Sequence, residues 1–455
     1  MEKLTCFKAY DVRGRLGHDL DSGICTRIGR AFAEVMHPGS VVVGRDIRDS
    51  SFDLQAALVA GLTAGGADVI DIGLCGTEEV YFATDHYGAG GGLMVTASHN
   101  PIDYNGIKMV QGGARPISGP EGLDAIHDLA LSGGFAPVAV PGTCRREDPR
   151  AAYVDRVLSF VDPGMLAPLT ILANAGNGVA GPTFDAIATR LDALGAPLRV
   201  VRMHHDPDPT FPNGIPNPLL EENQPATADA VRAHGADMGV AWDGDFDRCF
   251  FFDETGAFIP GEYVVGLLAA AFLAQEPGAK IVHDPRVLWN TRDVVARGGG
   301  QAVVSRTGHA LIKAKMREVD AVYGGEMSAH HYFRRFMYCD SGMIPWLLVA
   351  AYVSQAKQPL SALVAQMRAA YPSSGEINFR VTDAAAAVAA VEAAMRPSAR
   401  HMDRLDGLSA DFGTWRFNLR ASNTEPLLRL NVETRNDPAL LSEKVDLLRR
   451  RIEAA

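Results

Sequence analysis

The sequence predicts an α/β protein: three tandem mixed α/β domains and then a smaller C-terminal α+β domain. Two patterns carry this expectation. Up to about residue 370, short apolar strand-like runs alternate with segments of helical periodicity, an order that predicts parallel-rich α/β layers. Beyond it, alternating strands flank a tight turn and are accompanied by two helices, as in an antiparallel sheet. A chain of 455 residues is also too long for one core. The expected divisions are 1–147, 148–254, 255–370 and 371–455. The first falls where Ser-Gly-Gly, three prolines and Arg145-Arg146-Glu147-Asp148 crowd together.

Composition narrows the function. Hydrophobic residues make up 47% and charged residues 21%, as in globular proteins. No apolar run reaches bilayer length, and the first residues lack the apolar core of a secretory signal, so a cytoplasmic location is expected. The cysteines at 6, 25, 75, 144, 249 and 339 are scattered, which argues against zinc and disulfides and fits reduced thiols. A net charge of −11 with no basic block makes nucleic acid and anionic membrane poor partners. A monomer or weak dimer is expected.

In the first segment Val41–Val43 reads as a strand. Ser50 or Ser51 is expected to cap a helix carrying Leu54, Leu58 and Leu62. Ala67–Ile72 and Leu93–Ala97 are further strands. The second delivers Thr96-Ala97-Ser98-His99-Asn100-Pro101, a polar turn stopped by proline, at a carboxyl end where open α/β sheets place ligands. An exposed serine held in such a turn suits a nucleophile or a phosphate carrier, although turns of this kind also simply close strands.

The second segment opens with a strand, Leu169–Ala173, followed by Gly176, Gly178 and Gly181 in G-x-G-x-x-G spacing. The acidic residue that should hold a ribose is missing at the end of the next strand. The glycines therefore read as a tight turn and close helix packing. Asp237–Trp242 is a strand that delivers Asp243-Gly244-Asp245-Phe246-Asp247-Arg248. Three carboxylates at alternate positions repel unless something positive lies between them, and suggest a hard divalent cation. An EF-hand is excluded, because Arg248 stands where that loop needs glycine.

In the third segment Lys280–His283 and Ala302–Val304 are strands, and Arg306-Thr307-Gly308-His309 leads into a helix, Ala310–Arg317. A histidine at a helix N-terminus tends to be neutral and able to accept a proton. A polar loop runs from Gly324 to His331. In the last segment Ala384–Met395 is a helix, and Thr414–Leu419 alternates Trp415, Phe417 and Leu419 as a one-sided strand should. The turn Arg420–Pro426 leads to a partner strand, Leu428–Val432, and a helix covers about 438–453. Ser422, Asn423 and Thr424, flanked by Arg420 and Arg429, make either a phosphate grip or an ordinary hairpin turn.

Taken together, these stretches resemble the α-D-phosphohexomutase family across essentially the whole chain. The match rests on Lys8–Gly14, Thr96–Pro101, Asn105–Lys108, Asp243–Arg248, Arg306–Ala310, Gly325–His330 and Arg420–Pro426. The resemblance implies a four-domain, heart-shaped fold. It implies that Ser98 carries the phosphoryl group and that Asp243, Asp245 and Asp247 hold Mg²⁺ together with an oxygen of phosphorylated Ser98. Glu326 and Ser328 would bind sugar hydroxyls, and Arg420, Ser422, Asn423 and Thr424, beside Arg429, the non-reacting phosphate. Arg13, His99, Lys108 and His309 would serve as acid, base or charge-neutralising groups. Tyr10, Arg248 and Arg286 would lie with the substrate. Ala329 stands where many members have glycine, and Arg286 where a lysine is common.

The implied reaction is phosphoryl exchange through a hexose 1,6-bisphosphate, which also serves as activator. Such transfer asks for in-line positioning and charge neutralisation, with Lys108 or His309 available to take the hydroxyl proton. The expected substrates are phosphorylated hexoses: mannose 6- and 1-phosphates, feeding GDP-mannose and surface polysaccharide synthesis, with the glucose phosphates as alternative or additional substrates. A metal-dependent sugar phosphatase is a competing reading, and a nucleotide- or sugar-binding protein resting on Gly176–Gly181 a weaker one.

Overall fold

The protein is described by a computed structural model that covers residues 4–421 and 427–454. The chain divides into two compact units. One runs to Phe258 and takes in His330–Lys357; the other comprises Ile259–Ala329 and the chain from Gln358 onward.

In the first unit, one sheet runs in the order Val12–Arg15, Tyr104–Gln111, Gly91–Val95, Ser40–Arg45, Asp68–Leu74, Cys144–Arg146. The four strands at the latter end pair in parallel, and Tyr104–Gln111 and Val12–Arg15 join antiparallel. The expected parallel-rich layer is thus present but mixed. The helices Ser22–Met36 and Asp49–Ala64 pack closely because two glycines let their backbones touch. A Cβ on Gly29 would lie 2.4 Å from the Leu58 carbonyl, and one on Gly61 would lie 2.1 Å from that of Thr26. Ser50 and Ser51 do not cap the second helix, whose N-cap is Arg48 without a side-chain bond. Ser51 Oγ donates instead to Asp46 Oδ1 at 2.5 Å, and Asn105 Nδ2 donates to both serines. Their hydroxyls are recruited by the polar ends of neighbouring strands.

A second sheet carries Cys249–Asp253, Met238–Trp242, Leu169–Asn174 and Leu198–Met203 in that order. The glycine-rich turn before the helix Ala180–Ala193 behaves as packing chemistry requires. Gly176 has φ +59°, a Cβ on Gly181 would meet the His205 carbonyl at 1.9 Å, and one on Gly178 would meet Gly244 at 2.7 Å. The turn therefore packs against the aspartate loop, as the close-packing reading of these glycines expects.

The helix Met343–Ala356 is anchored through Glu78. This carboxyl accepts from the backbone amides of Gly342 and Met343, from Ser341 Oγ and from the Tyr153 hydroxyl. Burial pushes it up to about 8 even though these donors favour the anion. One buried carboxyl thus satisfies a helix N-terminus and ties it to two other parts of the unit.

In the second unit, Lys280–His283 lies between Gln301–Val304 and Tyr323–Gly325, all parallel. An antiparallel sheet follows in the order Ile377–Arg380, Leu427–Thr434, Trp415–Ala421, Leu408–Asp411, His401–Asp403. Its apolar face packs on the helices Ala384–Met395 and Pro438–Glu453. The strand Trp415–Ala421 is not one-sided as its alternation suggests. Arg416 and Asn418, on the polar face, are buried too. Arg416 donates to Glu433 at 2.7 Å and to the carbonyls of Pro285 and Arg286; Glu433 in turn accepts the Leu288 and Trp289 amides at the start of Trp289–Arg297. A buried charge pair and a helix N-terminus make a second dry face possible for polar residues.

Among the described residues no helix is long and apolar enough to cross a membrane. All six cysteines are free.

Candidate active site

Ser98 follows the strand Gly91–Val95; it is buried, contrary to the exposed position expected of it, and adopts φ +50°, the left-handed region that a serine rarely occupies. That conformation turns its hydroxyl onto the aspartate loop. Ser98 Oγ donates to Asp243 Oδ2 at 2.7 Å and lies 2.9 Å from His99 Nδ1. With the hydroxyl proton on Asp243, the histidine contact requires a proton on Nδ1. Burial, reinforced by the charges of Arg248 and Arg13, holds His99 well below the usual histidine range, so the ring is neutral.

The backbone behind Ser98 is fixed by a residue that sequence reasoning missed. Arg48, 2% exposed, donates to the carbonyls of Ser98 (3.0 Å), Asn100 (2.6 Å), Pro101 (2.9 Å) and Tyr104 (3.2 Å), and Asp46 lies 3.6 Å from its Nε. The charged run Arg45-Asp46-Ile47-Arg48 after a predicted strand was the available signal. On the other side, a Cβ on Gly244 would lie 2.6 Å from the Ser98 carbonyl, so glycine there permits the serine turn and the aspartate loop to touch.

Asp243, Asp245 and Asp247 are buried and bring one carboxylate oxygen each within 4.8 Å of the others. Their Oδ1 atoms are buried without a hydrogen-bond partner. Lys108 Nζ donates to Oδ2 of both Asp245 (2.7 Å) and Asp247 (2.5 Å). Burial opposes its charge, yet the two carboxylates hold it above the ordinary lysine value. Lys108 is therefore a charge neutraliser as it stands, and a poor proton acceptor. Thr77 Oγ1 donates to Asp245 at 2.6 Å. Arg248 Nε lies 3.6 Å from Asp243 and donates to His330 Nε2 at 3.2 Å, and His330 lies 3.6 Å from Asp247 Oδ1. Arg13 pairs with Asp11 at 2.7 Å, and Tyr10 is half-buried in the bend before that strand.

The remaining expected residues belong to the second unit. Arg286 is buried; it donates to Asp284 Oδ2 at 2.7 Å and to Ser328 Oγ at 3.2 Å and lies 3.6 Å from Glu326. Glu326 Oε1 accepts the Gly308 amide at 3.1 Å, and His309 is the first residue of the helix His309–Val319, as expected. Ala329 has φ +69°, a backbone that accounts for glycine suiting this position. Arg420 and Arg429 face each other across the hairpin and share Glu376, a residue sequence reasoning missed. Ser422, Asn423 and Thr424 lie outside the described residues.

Family models named for phosphoglucomutase/phosphomannomutase match the chain in sequence: α/β/α domain I over 4–135, domain II over 151–256, domain III over 260–371, and the C-terminal domain over 376–450. The chain belongs to the phosphoglucomutase/phosphomannomutase family. It is 58% identical to the phosphomannomutase of Salmonella typhimurium strain LT2 over 450 residues, covering 98% of this chain and 99% of that one. The crystal structure of a phosphoglucomutase/phosphomannomutase family protein from Burkholderia thailandensis matches with a TM-score of 0.88 at 33% identity, covering 100% of this chain and 98% of that one. More distant is the Aspergillus fumigatus N-acetylphosphoglucosamine mutase in complex with GlcNAc-6P and magnesium. Its TM-score of 0.58 and 17% identity, over 92% of this chain and 83% of that one, show a shared fold. Members of the phosphoglucomutase/phosphomannomutase family are isomerases, and this chain is an enzyme of that class.

Proposed function

We propose that this enzyme interconverts mannose 6-phosphate and mannose 1-phosphate through phosphorylated Ser98 and a hexose 1,6-bisphosphate, with the bisphosphate also acting as activator. The observation that carries the reading is the strained Ser98 turn, which aims a hydroxyl at a buried cluster of aspartates. Three orphaned carboxylate oxygens suit a hard divalent cation, so Asp243, Asp245 and Asp247, with an oxygen on Ser98, would hold Mg²⁺. Bound there, the ion supplies positive charge against the phosphoryl oxygens.

The protein's own groups do the rest. In the forward step the bond between phosphorus and Ser98 Oγ breaks, a bond to the sugar oxygen forms, the sugar's hydroxyl proton passes to a base, and a proton is returned to Ser98 Oγ, which again becomes the hydroxyl that donates to Asp243. His309 is the favoured acceptor, because Lys108 is held charged by Asp245 and Asp247. Arg13, Lys108 and Arg248 offset charge, which is usually the largest catalytic term. Glu326 and Ser328 would read the sugar hydroxyls near the axis that exchanges C1 and C6, so one pair serves both orientations. The hydroxyl at C2 is then weakly read, and glucose phosphates would be substrates as well. Arg420, Arg429 and the 422–424 turn would hold the phosphate that is not reacting. These roles accord with four domains divided near 147, 254 and 370, and with a cytoplasmic enzyme supplying GDP-mannose synthesis.

The test is transfer of labelled phosphate from hexose 1,6-bisphosphate. Wild-type protein should gain label on the peptide containing Ser98 and interconvert the mannose phosphates. Ser98→Ala should do neither. Label elsewhere, or release of inorganic phosphate with no mannose 1-phosphate formed, would refute the mutase reading.

A further inference from the structure

Glu376, just before the strand Ile377–Arg380, is a carboxylate on which three arginines converge. Its Oε2 accepts from Arg420 Nη2 at 3.0 Å and lies 3.6 Å from Arg286 Nη1, while its Oε1 lies 3.6 Å from Arg429 Nη1. The Glu376 side chain is 15% exposed and that of Arg420 8%, so this is no solvated surface pairing. Arg286 also meets Asp284 and Glu326, so among the described residues three carboxylates lie against these three arginines.

A phosphate grip of that composition is unusual. Two arginines facing each other across a hairpin would hold a phosphate dianion strongly, and a carboxylate placed on both works against them. The reaction proposed above explains why weakness has value. The bisphosphate must leave the grip, turn, and return with its other phosphate, and binding that is equally tight before and during reaction slows such release without raising the rate.

We propose that Glu376 is a built-in competitor for the phosphate grip: its carboxylate occupies Arg420 and Arg429 and weakens their hold on the distal phosphate, so that the bisphosphate exchanges readily. This rests on the mutase reading. The contrasting role, a brace that merely holds the arginines in place, predicts the opposite sign. Removing a brace loosens phosphate, whereas removing a competitor tightens it.

The experiment uses the full chain, with inorganic phosphate titrated calorimetrically against wild type, Glu376→Gln and Glu376→Asp. Glu376→Gln should bind phosphate at least about 5-fold more tightly, with a gain that shrinks as salt rises. The KM for mannose 1-phosphate should fall with it and kcat should fall too, while Glu376→Asp stays near wild type. The gain should vanish when Arg420→Met is added. Unchanged or weaker phosphate binding in Glu376→Gln, or a gain that survives Arg420→Met, overturns the proposal. Should Glu376→Gln not fold, a brace is indicated and the proposal fails. Wild-type protein that binds phosphate but forms no bisphosphate-dependent product would refute the mutase reading and leave the phosphate comparison standing.

Discussion

Arg48 donates to the carbonyl of Ser98 at 3.0 Å, and the same guanidinium satisfies the carbonyls of Asn100, Pro101 and Tyr104. One planar fork thus carries a turn whose central serine is left-handed. Arg48→Met leaves these carbonyls without their donor and leaves buried Asp46 without its arginine. Losing one partner of a buried ion pair costs about 3 kcal/mol or more. Arg48→Met should therefore lower the urea midpoint by that amount. At temperatures where it is folded, kcat should fall about 100-fold, the scale of a misplaced reacting group. Arg48→Lys cannot span the same carbonyls and should rescue neither. Wild-type kcat in folded Arg48→Met would dismiss the positioning role.

What the sequence makes legible here is local. Ser98 at a strand end and the aspartates at alternate positions are readable because a turn and its strand lie within a few residues. So is His309 at a helix start. The residues that hold them come from far along the chain. Arg48 reaches the Ser98 turn across 50 residues, Glu78 accepts the Gly342 amide across 264, and Glu376 meets Arg420 across 44. No periodicity records such pairings. The strand Trp415–Ala421 misleads for a related reason: alternation says which face is polar, and burial of that face depends on Glu433 and a helix N-terminus elsewhere in the unit. The G-x-G-x-x-G spacing is a real close-approach signal, met here by the backbones of His205 and Gly244.

Gly244 offers a second test of the serine–aspartate contact. A Cβ there would sit 2.6 Å from the Ser98 carbonyl, a backbone atom that cannot swing aside like a side-chain tip. Gly244→Ala should push the two loops apart while the surrounding sheets remain. The expected outcome is a loss of about 2 kcal/mol in stability, within the range for overpacking. Phosphorylation of Ser98 should fall by at least 100-fold. Normal labelling of Ser98 in Gly244→Ala would show that the contact is dispensable.

His283 predicts a pH dependence. It is buried, its Nδ1 lies 2.8 Å from the Asp284 carbonyl, and burial pushes its pKa from 6.5 down to about 4. Between those values the unfolded chain binds the proton and the folded chain does not. This contribution to stability is therefore complete above pH 6.5 and is lost as pH falls towards 4. The full effect is roughly 3 kcal/mol. His283→Gln has nothing to protonate, so its deficit relative to wild type, measured by urea unfolding, should shrink as pH falls from 7 to 4.5. A deficit constant with pH would mean that His283 stays unprotonated in both states or charged in both.

The last prediction concerns cation removal. Asp243, Asp245 and Asp247 are buried together, and Lys108 is the ammonium that bonds to two of them. Lys108 and Arg248 bring two positive charges to three negative ones, so a divalent cation should stabilise the fold as well as support turnover. Saturating a site at 100 times its dissociation constant adds about 2.7 kcal/mol, so the Tm should rise with millimolar Mg²⁺ and fall in chelator, along with activity. Lys108→Met removes the ammonium and leaves the carboxylates to repel. In chelator it should lose about 3 kcal/mol or more relative to wild type. Mg²⁺ should then raise its Tm by more than it raises that of wild type, because the ion replaces the missing charge. Equal Mg²⁺-induced shifts in the two proteins would show that Lys108 does not act as counter-ion to this cluster.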